Sequence, residues 1–113
     1  MVGHTTFDYT GETAVVTGST KGIGRGIAEA LADAGANVVV NSRTPDDVQE
    51  AADELDQRGG GRVVGIAADV ADPEGIEDLV AAAIDEFGTV DLLVNNAAVW
   101  PRETSMLEAS LED

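Results

Sequence analysis

The sequence predicts an α/β fold, a doubly wound parallel sheet with helices on both faces. Three observations predict it. Short, continuously apolar runs alternate with longer segments whose apolar residues recur with helical period. The links between them are short, which makes successive strands parallel and the crossovers right-handed. The first apolar run, Ala14-Val15-Val16, opens directly into a glycine-rich turn, Thr17-Gly18-Ser19-Thr20-Lys21-Gly22-Ile23-Gly24.

Residues 1–12 are polar without a clear period and read as a mobile arm, with Phe7 or Tyr9 tucked against the sheet. Residues 13–17 read as the first strand, continuously apolar because both of its faces are covered. Residues 22–34 read as a helix that places Ile23, Ile27, Ala30, Leu31 and Ala34 on one face, and Gly35 ends it. Residues 37–41, centred on Val38-Val39-Val40, are a second buried strand.

Thr44-Pro45-Asp46-Asp47 starts the next helix. It offers an N-cap residue, Pro at the first helical position, and acids that meet the positive end of the helix dipole. Val48, Ala51, Ala52 and Leu55 form its buried stripe, and Gly59-Gly60-Gly61 stops it. Residues 62–67 are a third strand. Asp72-Pro73-Glu74 repeats the start signal. Ile76, Leu79, Val80, Ala83, Ile84 and Phe87 make the stripe that follows, and Gly88 closes it. Residues 91–95, with Leu92-Leu93-Val94 inside, are a fourth strand.

Residues 99–113 read as the start of an incomplete next unit. Ser110 and Asp113 have the spacing of a capping box, yet the sequence stops there. The expectation is one partial domain over residues 1–113, truncated after the fourth strand, with the far row of that strand's N–H and C=O groups left bare.

Composition narrows the function. The 113 residues, 43% of them hydrophobic, suffice for one domain with a small core. There is no Cys, so disulfides and thiolate metal sites are excluded, and a reducing compartment fits. The single His, His4, reads as an exposed tail residue, and no metal site is expected. No apolar run is long enough to span a bilayer, and the N-terminus lacks a basic-then-apolar signal; a cytoplasmic protein is expected. The net charge is −16, from 22 acidic and 6 basic residues, which argues against nucleic acid or an anionic membrane as partner. Lys21 is the only Lys. So large an acid excess suggests a protein that works in high salt, where screening removes self-repulsion.

The glycine turn suits a pyrophosphate. A helix start carries unpaired N–H groups and the positive dipole end, and glycines let that backbone approach a ligand. Gly18 takes the tight turn, Gly22 leaves room for phosphates, and Gly24 lets the helix lie close on the sheet. The spacing is T-G-x-x-x-G-x-G, neither G-x-G-x-x-G nor a Walker loop. Taken alone, the glycines also fit an ordinary strand–helix turn.

In such a sheet the ligand lies beyond the carboxyl ends of the strands. The residues placed there are the Gly18–Gly24 loop, Asn41-Ser42-Arg43, Asp69-Val70 and Asn95-Asn96-Ala97-Ala98. After the second strand an NAD site usually offers an acid, and an NADP site a base. Here there is no acid. Arg43 can form a forked pair with a 2′-phosphate, Ser42 can add a hydrogen bond, and Lys21 a second positive charge. NADP is therefore expected rather than NAD, unless both cations are plain solvated charges. Asp69 can accept from an adenine amino group with Val70 flanking the ring, or it can serve as a turn residue before Asp72. Asn96 can tie loops together or meet a ribose, whereas Asn95 reads as structural.

Together these segments resemble the N-terminal, cofactor-binding half of the classical branch of the short-chain dehydrogenase/reductase (SDR) family. TGSTKGIG is similar to that family's cofactor loop, AADV to its adenine-contacting turn, and DLLVNNAA to its N-N-A-G segment, in the family's order. The resemblance implies a Rossmann-like fold and a parent reaction of hydride transfer between NADP(H) and a carbonyl or alcohol. It implies that Gly18, Ser19, Thr20, Lys21, Gly22, Ile23 and Gly24 form the cradle for the phosphates and ribose. Arg43 and Ser42 would hold the 2′-phosphate, Asp69 and Val70 the adenine, and Asn96 and Ala97 the nicotinamide side. Lys21 resembles the family's NADP-preferring members.

Two departures are plain. Ala98 stands where the family usually has Gly. The family's catalytic Ser and its Tyr-x-x-x-Lys pair are not found, since the only Tyr is Tyr9 and Thr13 stands where the Lys would be. No catalytic residue is expected in this chain, and the family's substrate pocket and oligomer interface would also be absent. The other reading is a non-catalytic nucleotide-binding or interaction module that pairs through its open sheet edge.

Overall fold

The computed structural model describes residues 8–96. Its elements, in chain order, are β1 (Thr13–Val16), α1 (Gly22–Asp33), β2 (Asn37–Ser42), α2 (Pro45–Asp56), β3 (Val63–Ala67), α3 (Pro73–Phe87) and β4 (Leu92–Val94). The four strands form one parallel sheet in the order β3-β2-β1-β4. The register sets Val15 beside Val39 on one side and Leu93 on the other.

Successive side chains of a strand point to opposite faces, and here each face has its own core. Val16, Val38 and Val40 pack with Ala28 and Ala32 of α1 and with Ala51, Ala52 and Leu55 of α2. Val15 and Val39 pack with Leu79 and Ala83 of α3. That is the expected doubly wound parallel sheet, and it explains why the valine runs are continuous. Leu55 and Leu79 are among the largest fully buried side chains. Burial of a leucine of this kind stabilises by roughly 1.5–3 kcal/mol.

Two local expectations need correction. The buried line of α1 is Gly24, Ala28 and Ala32. Ile27 and Leu31 are half-buried beside it, while Ala30 is exposed and Ile23 is 78% exposed. Small residues let the helix axis come close to the sheet, so they take the central line and larger ones flank it. In α3, Leu79 and Ala83 are buried as expected, but Ile84 is 45% exposed. Within the arm, Tyr9 is tucked in, as one of the two residues expected there. The Tyr9 amide donates to the Ala34 carbonyl at 2.8 Å, and Tyr9 packs against the α1/α2 core.

The helix starts differ from one another. Asp72 caps α3 by accepting from the Glu74 amide at 3.0 Å. Thr44 occupies the N-cap position of α2 but makes no side-chain cap bond. Instead its own amide donates to Ser42 Oγ at 3.1 Å. Gly88, at φ +88°, ends α3 as read from sequence. Among the described residues β4 pairs with β1 alone, and its Leu92 and Leu93 are exposed. No described helix is long and apolar enough to cross a membrane. The readings made for His4, Phe7, Ala97, Ala98 and residues 99–113 lie outside the described residues.

Candidate functional site

The chain winds outward from β1 through β2 to β3, then returns to the other side of β1 for β4. Where the winding reverses, a crevice opens at the carboxyl ends of the strands. The glycine turn sits there, between β1 and α1. Gly18 and Gly22 have φ of +57° and +66°, conformations that favour glycine. A Cβ on Gly24 would overlap the Gly18 carbonyl oxygen and crowd Asn96 Nδ2. A Cβ on Gly22 would meet nothing within 4 Å. One glycine therefore closes the packing beneath the turn, and the other leaves open space above it.

The start of α1 also differs from the other two described helices. It has no acid in its first turn and no side-chain cap. By contrast, α2 carries Asp46 and Asp47, and α3 carries Glu74 with the Asp72 cap. The first-turn N–H groups and the positive dipole end of α1 are thus met by no first-turn acid and no side-chain cap among the described residues.

The turn is braced from below by buried polar side chains. Asn41 is 1% exposed. Its Nδ2 donates to the carbonyls of Ile66 (3.0 Å) and Ala68 (3.2 Å), and its Oδ1 accepts from the Gly18 amide (3.4 Å). Ser19 is fully buried; its hydroxyl donates to the Val16 carbonyl at 2.6 Å and accepts from the Asn41 amide at 2.8 Å. On the other flank, Thr17 Oγ1 donates to Asn95 Oδ1 (3.1 Å) and accepts from the Asn96 amide (2.9 Å). Asn96 Nδ2 donates to the Gly18 carbonyl at 3.2 Å.

The cations divide into two groups. Arg25 pairs with Glu54 at 2.6 Å, Arg58 with Glu29 and Asp33 at 3.1 and 2.9 Å, and Arg62 with Glu86 at 3.0 Å. Lys21 and Arg43 are exposed, and among the described residues neither has a carboxylate partner. Thr20, Lys21 and Arg25 line a cavity of about 230 Å³, together with Asp47, Glu50 and Ala51 of α2.

The structure gathers Gly18, Thr20, Lys21, Gly22, Ile23, Gly24, Ser42, Arg43 and Asn96 at the carboxyl ends of β1, β2 and β4. Asp69 and Val70 follow β3. Asp69 is exposed, and its Oδ1 accepts from the Ala71 amide at 3.0 Å, the turn geometry that was one of its two readings. Val70 is half-buried against the α3-side core. Ser19 stands apart, since its hydroxyl faces the interior. The sequence places Asn41 and Thr17 at this end of the sheet but does not show that they brace the turn from below. The signal was a polar residue closing each valine run, because a buried polar group must find partners.

The residues present fit the phosphates of a dinucleotide. Open space lies above Gly22, the first turn of the helix carries no acid, and Lys21 in the turn and Arg43 just past β2 have no carboxylate partner among the described residues. A family model for short chain dehydrogenases matches residues 12–113. Glucose 1-dehydrogenase 2 of Bacillus subtilis (strain 168) is 43% identical over 106 residues, which are 94% of this chain and 41% of that protein. D-beta-hydroxybutyrate dehydrogenase of Rhizobium meliloti (strain 1021) is 47% identical over 89 residues, 78% of this chain and 34% of that protein. L-Sorbose reductase from Gluconobacter frateurii, solved as a complex with NADPH and L-sorbose, gives a TM-score of 0.80 at 42% identity. That likeness covers 88% of this chain and 38% of the reductase. The chain therefore spans between 34 and 41% of the length of these relatives. Since the matched residues take in every strand and helix described above, the chain belongs to the short-chain dehydrogenase family.

Proposed function

We propose that this chain binds NADP(H) as the dinucleotide-binding part of an oxidoreductase that transfers hydride between that cofactor and a carbonyl or alcohol. One observation carries the preference for NADP(H). In a chain of net charge −16, the two cations without carboxylate partners among the described residues are Lys21, in the glycine turn, and Arg43, just past the carboxyl end of β2. The solved relative complexed with NADPH supports the same reading.

Each residue then has a physical role. The first-turn amides of α1 and the open backbone at Gly22 bind the pyrophosphate. Thr20 and the exposed Ile23 flank it, while Gly18, Ser19 and Gly24 hold the turn in shape. Arg43 and Lys21 take the 2′-phosphate, with Ser42 beside them. Asp69 and Val70 meet the adenine, and Asn96 and Ala97 the nicotinamide side. When bound, the nicotinamide supplies or accepts the hydride. No Tyr-x-x-x-Lys pair lies within these 113 residues, so none of them is assigned the proton transfer that accompanies hydride transfer.

The test is a titration with NADPH and NADH, followed by cofactor fluorescence. NADPH is expected to bind more tightly. Lys21→Ala and Arg43→Ala are each expected to weaken NADPH roughly tenfold or more, as for loss of a charged hydrogen bond, and to leave NADH nearly unchanged. Equal affinity for the two cofactors, or variants that leave NADPH binding intact, would overturn the proposal.

A further inference from the structure

The cavity between the glycine turn and α2 has walls of opposite sign. Lys21 and Arg25 stand on one side, and Asp47 and Glu50 on the other. The guanidinium of Arg25 is already neutralised by Glu54 at 2.6 Å. Neither Asp47 nor Glu50 has a cation partner among the described residues. Asp47 also lies in the first turn of α2, where with Asp46 it offsets the positive end of that helix. The start of α2 therefore adds little attraction for an anion, although only Thr44 separates it from Arg43.

On the NADP(H) reading above, a 2′-phosphate held by Lys21 brings a third negative group to a cavity that already has two, Asp47 and Glu50. We propose that Asp47 and Glu50 are specificity-determining residues. They oppose the 2′-phosphate and keep the preference for NADP(H) over NAD(H) below what Lys21 and Arg43 alone would set. The inference rests on that reading and deepens it.

The two contributions differ in range. Lys21 and Arg43 act through direct, charge-assisted hydrogen bonds. Asp47 and Glu50 act across the width of the cavity, through solvent. Screening shortens to about 3 Å in 1 M salt from about 14 Å near 0.05 M, so salt removes the repulsion sooner than it removes the contacts. The opposition is therefore strongest in dilute buffer. Were Asp47 and Glu50 only a helix-start acid and a solvated surface acid, their neutralisation would alter stability slightly and cofactor choice not at all.

The test uses the isosteric variants Asp47→Asn and Glu50→Gln, each titrated with NADPH and NADH in 0.05 M and 1 M NaCl. Each is expected to tighten NADPH roughly two- to fivefold in dilute salt, as for removal of one nearby like charge in a wet site. NADH should stay unchanged, and the gain should shrink by half or more in 1 M salt. An unaltered NADPH/NADH ratio in both variants, with Lys21→Ala still lowering that ratio, would overturn this inference and leave the NADP(H) reading standing. Equal tightening of both cofactors would overturn it too, as a general charge effect. If Lys21→Ala leaves the ratio unmoved, the NADP(H) reading fails and this inference fails with it.

Discussion

Gly24 shows how one missing side chain shapes the site. Its Cα faces the Gly18 carbonyl and the Asn96 amide so closely that a methyl group would overlap backbone, which cannot swing aside as a flexible side chain does. Gly24→Ala is expected to push α1 off the sheet and to cost roughly 1–3 kcal/mol or more, as over-packing of a close contact does. A lowered urea midpoint, with loss of dinucleotide binding, is the expected result. An alanine variant of parental stability would contradict the close packing. Asn41 works in the opposite sense, by supplying polar atoms. Its amide joins the glycine turn to the end of β3 and the segment just beyond it, so the crevice floor is one hydrogen-bonded unit. A buried amide without those partners would cost about 1–3 kcal/mol, which is why such a residue appears only where several backbone groups converge.

The helices are alike in pattern but fastened differently. α3 is closed by the Asp72 carboxylate, whereas α2 begins at Thr44 without a side-chain bond. Asp72→Ala is expected to lower stability by about 0.5–2 kcal/mol, and Thr44→Ala by only a few tenths. Thermal melting of the pair, side by side, checks this. Equal losses would mean that the two caps do not differ as the structure shows. The helices are also stitched by arginines. Arg25 links α1 to α2 through Glu54, and Arg58 grips Glu29 and Asp33 of α1 from just beyond α2. The double donation from Arg58 holds the Asp33 carboxyl below the usual carboxylate range. Arg62 reaches Glu86 of α3 and lies 5.1 Å from the centre of the Phe87 ring. These pairs are exposed, so each adds little to stability; their effect is to neutralise three of the cations, including Arg25 where it lines the cavity beside Lys21.

Over the whole molecule the acids outnumber the bases, 22 to 6. Exposed ion pairs cannot balance such an excess, and the unpaired carboxylates repel one another in dilute buffer. Salt shortens the range of that repulsion. The melting temperature is therefore expected to rise steadily from dilute buffer to molar NaCl. A melting temperature that is the same at both extremes would remove the case for adaptation to high salt. The edge strand β4 adds a second demand, because Leu92 and Leu93 are exposed and no other described strand pairs with its far side.

The succession of strands and helices along the chain and the glycine cradle were legible in the residues, since they follow from local rules. The Val38-Val39-Val40 run demands cover on both faces, and the positions of Gly18, Gly22 and Gly24 require a tight turn at a helix mouth. Other features depend on what lies across space. Periodicity could not show that Ala28, rather than Ile23, would face the sheet, because that depends on how near the helix axis comes. Nor could it show that Ser19 would turn inward to Val16 and Asn41, since its partners are set by the meeting of separate strands. Which cations remain unpaired is likewise a matter of distance. Arg25 and Lys21 are near neighbours in the chain, yet only Arg25 comes within reach of Glu54, on the next helix.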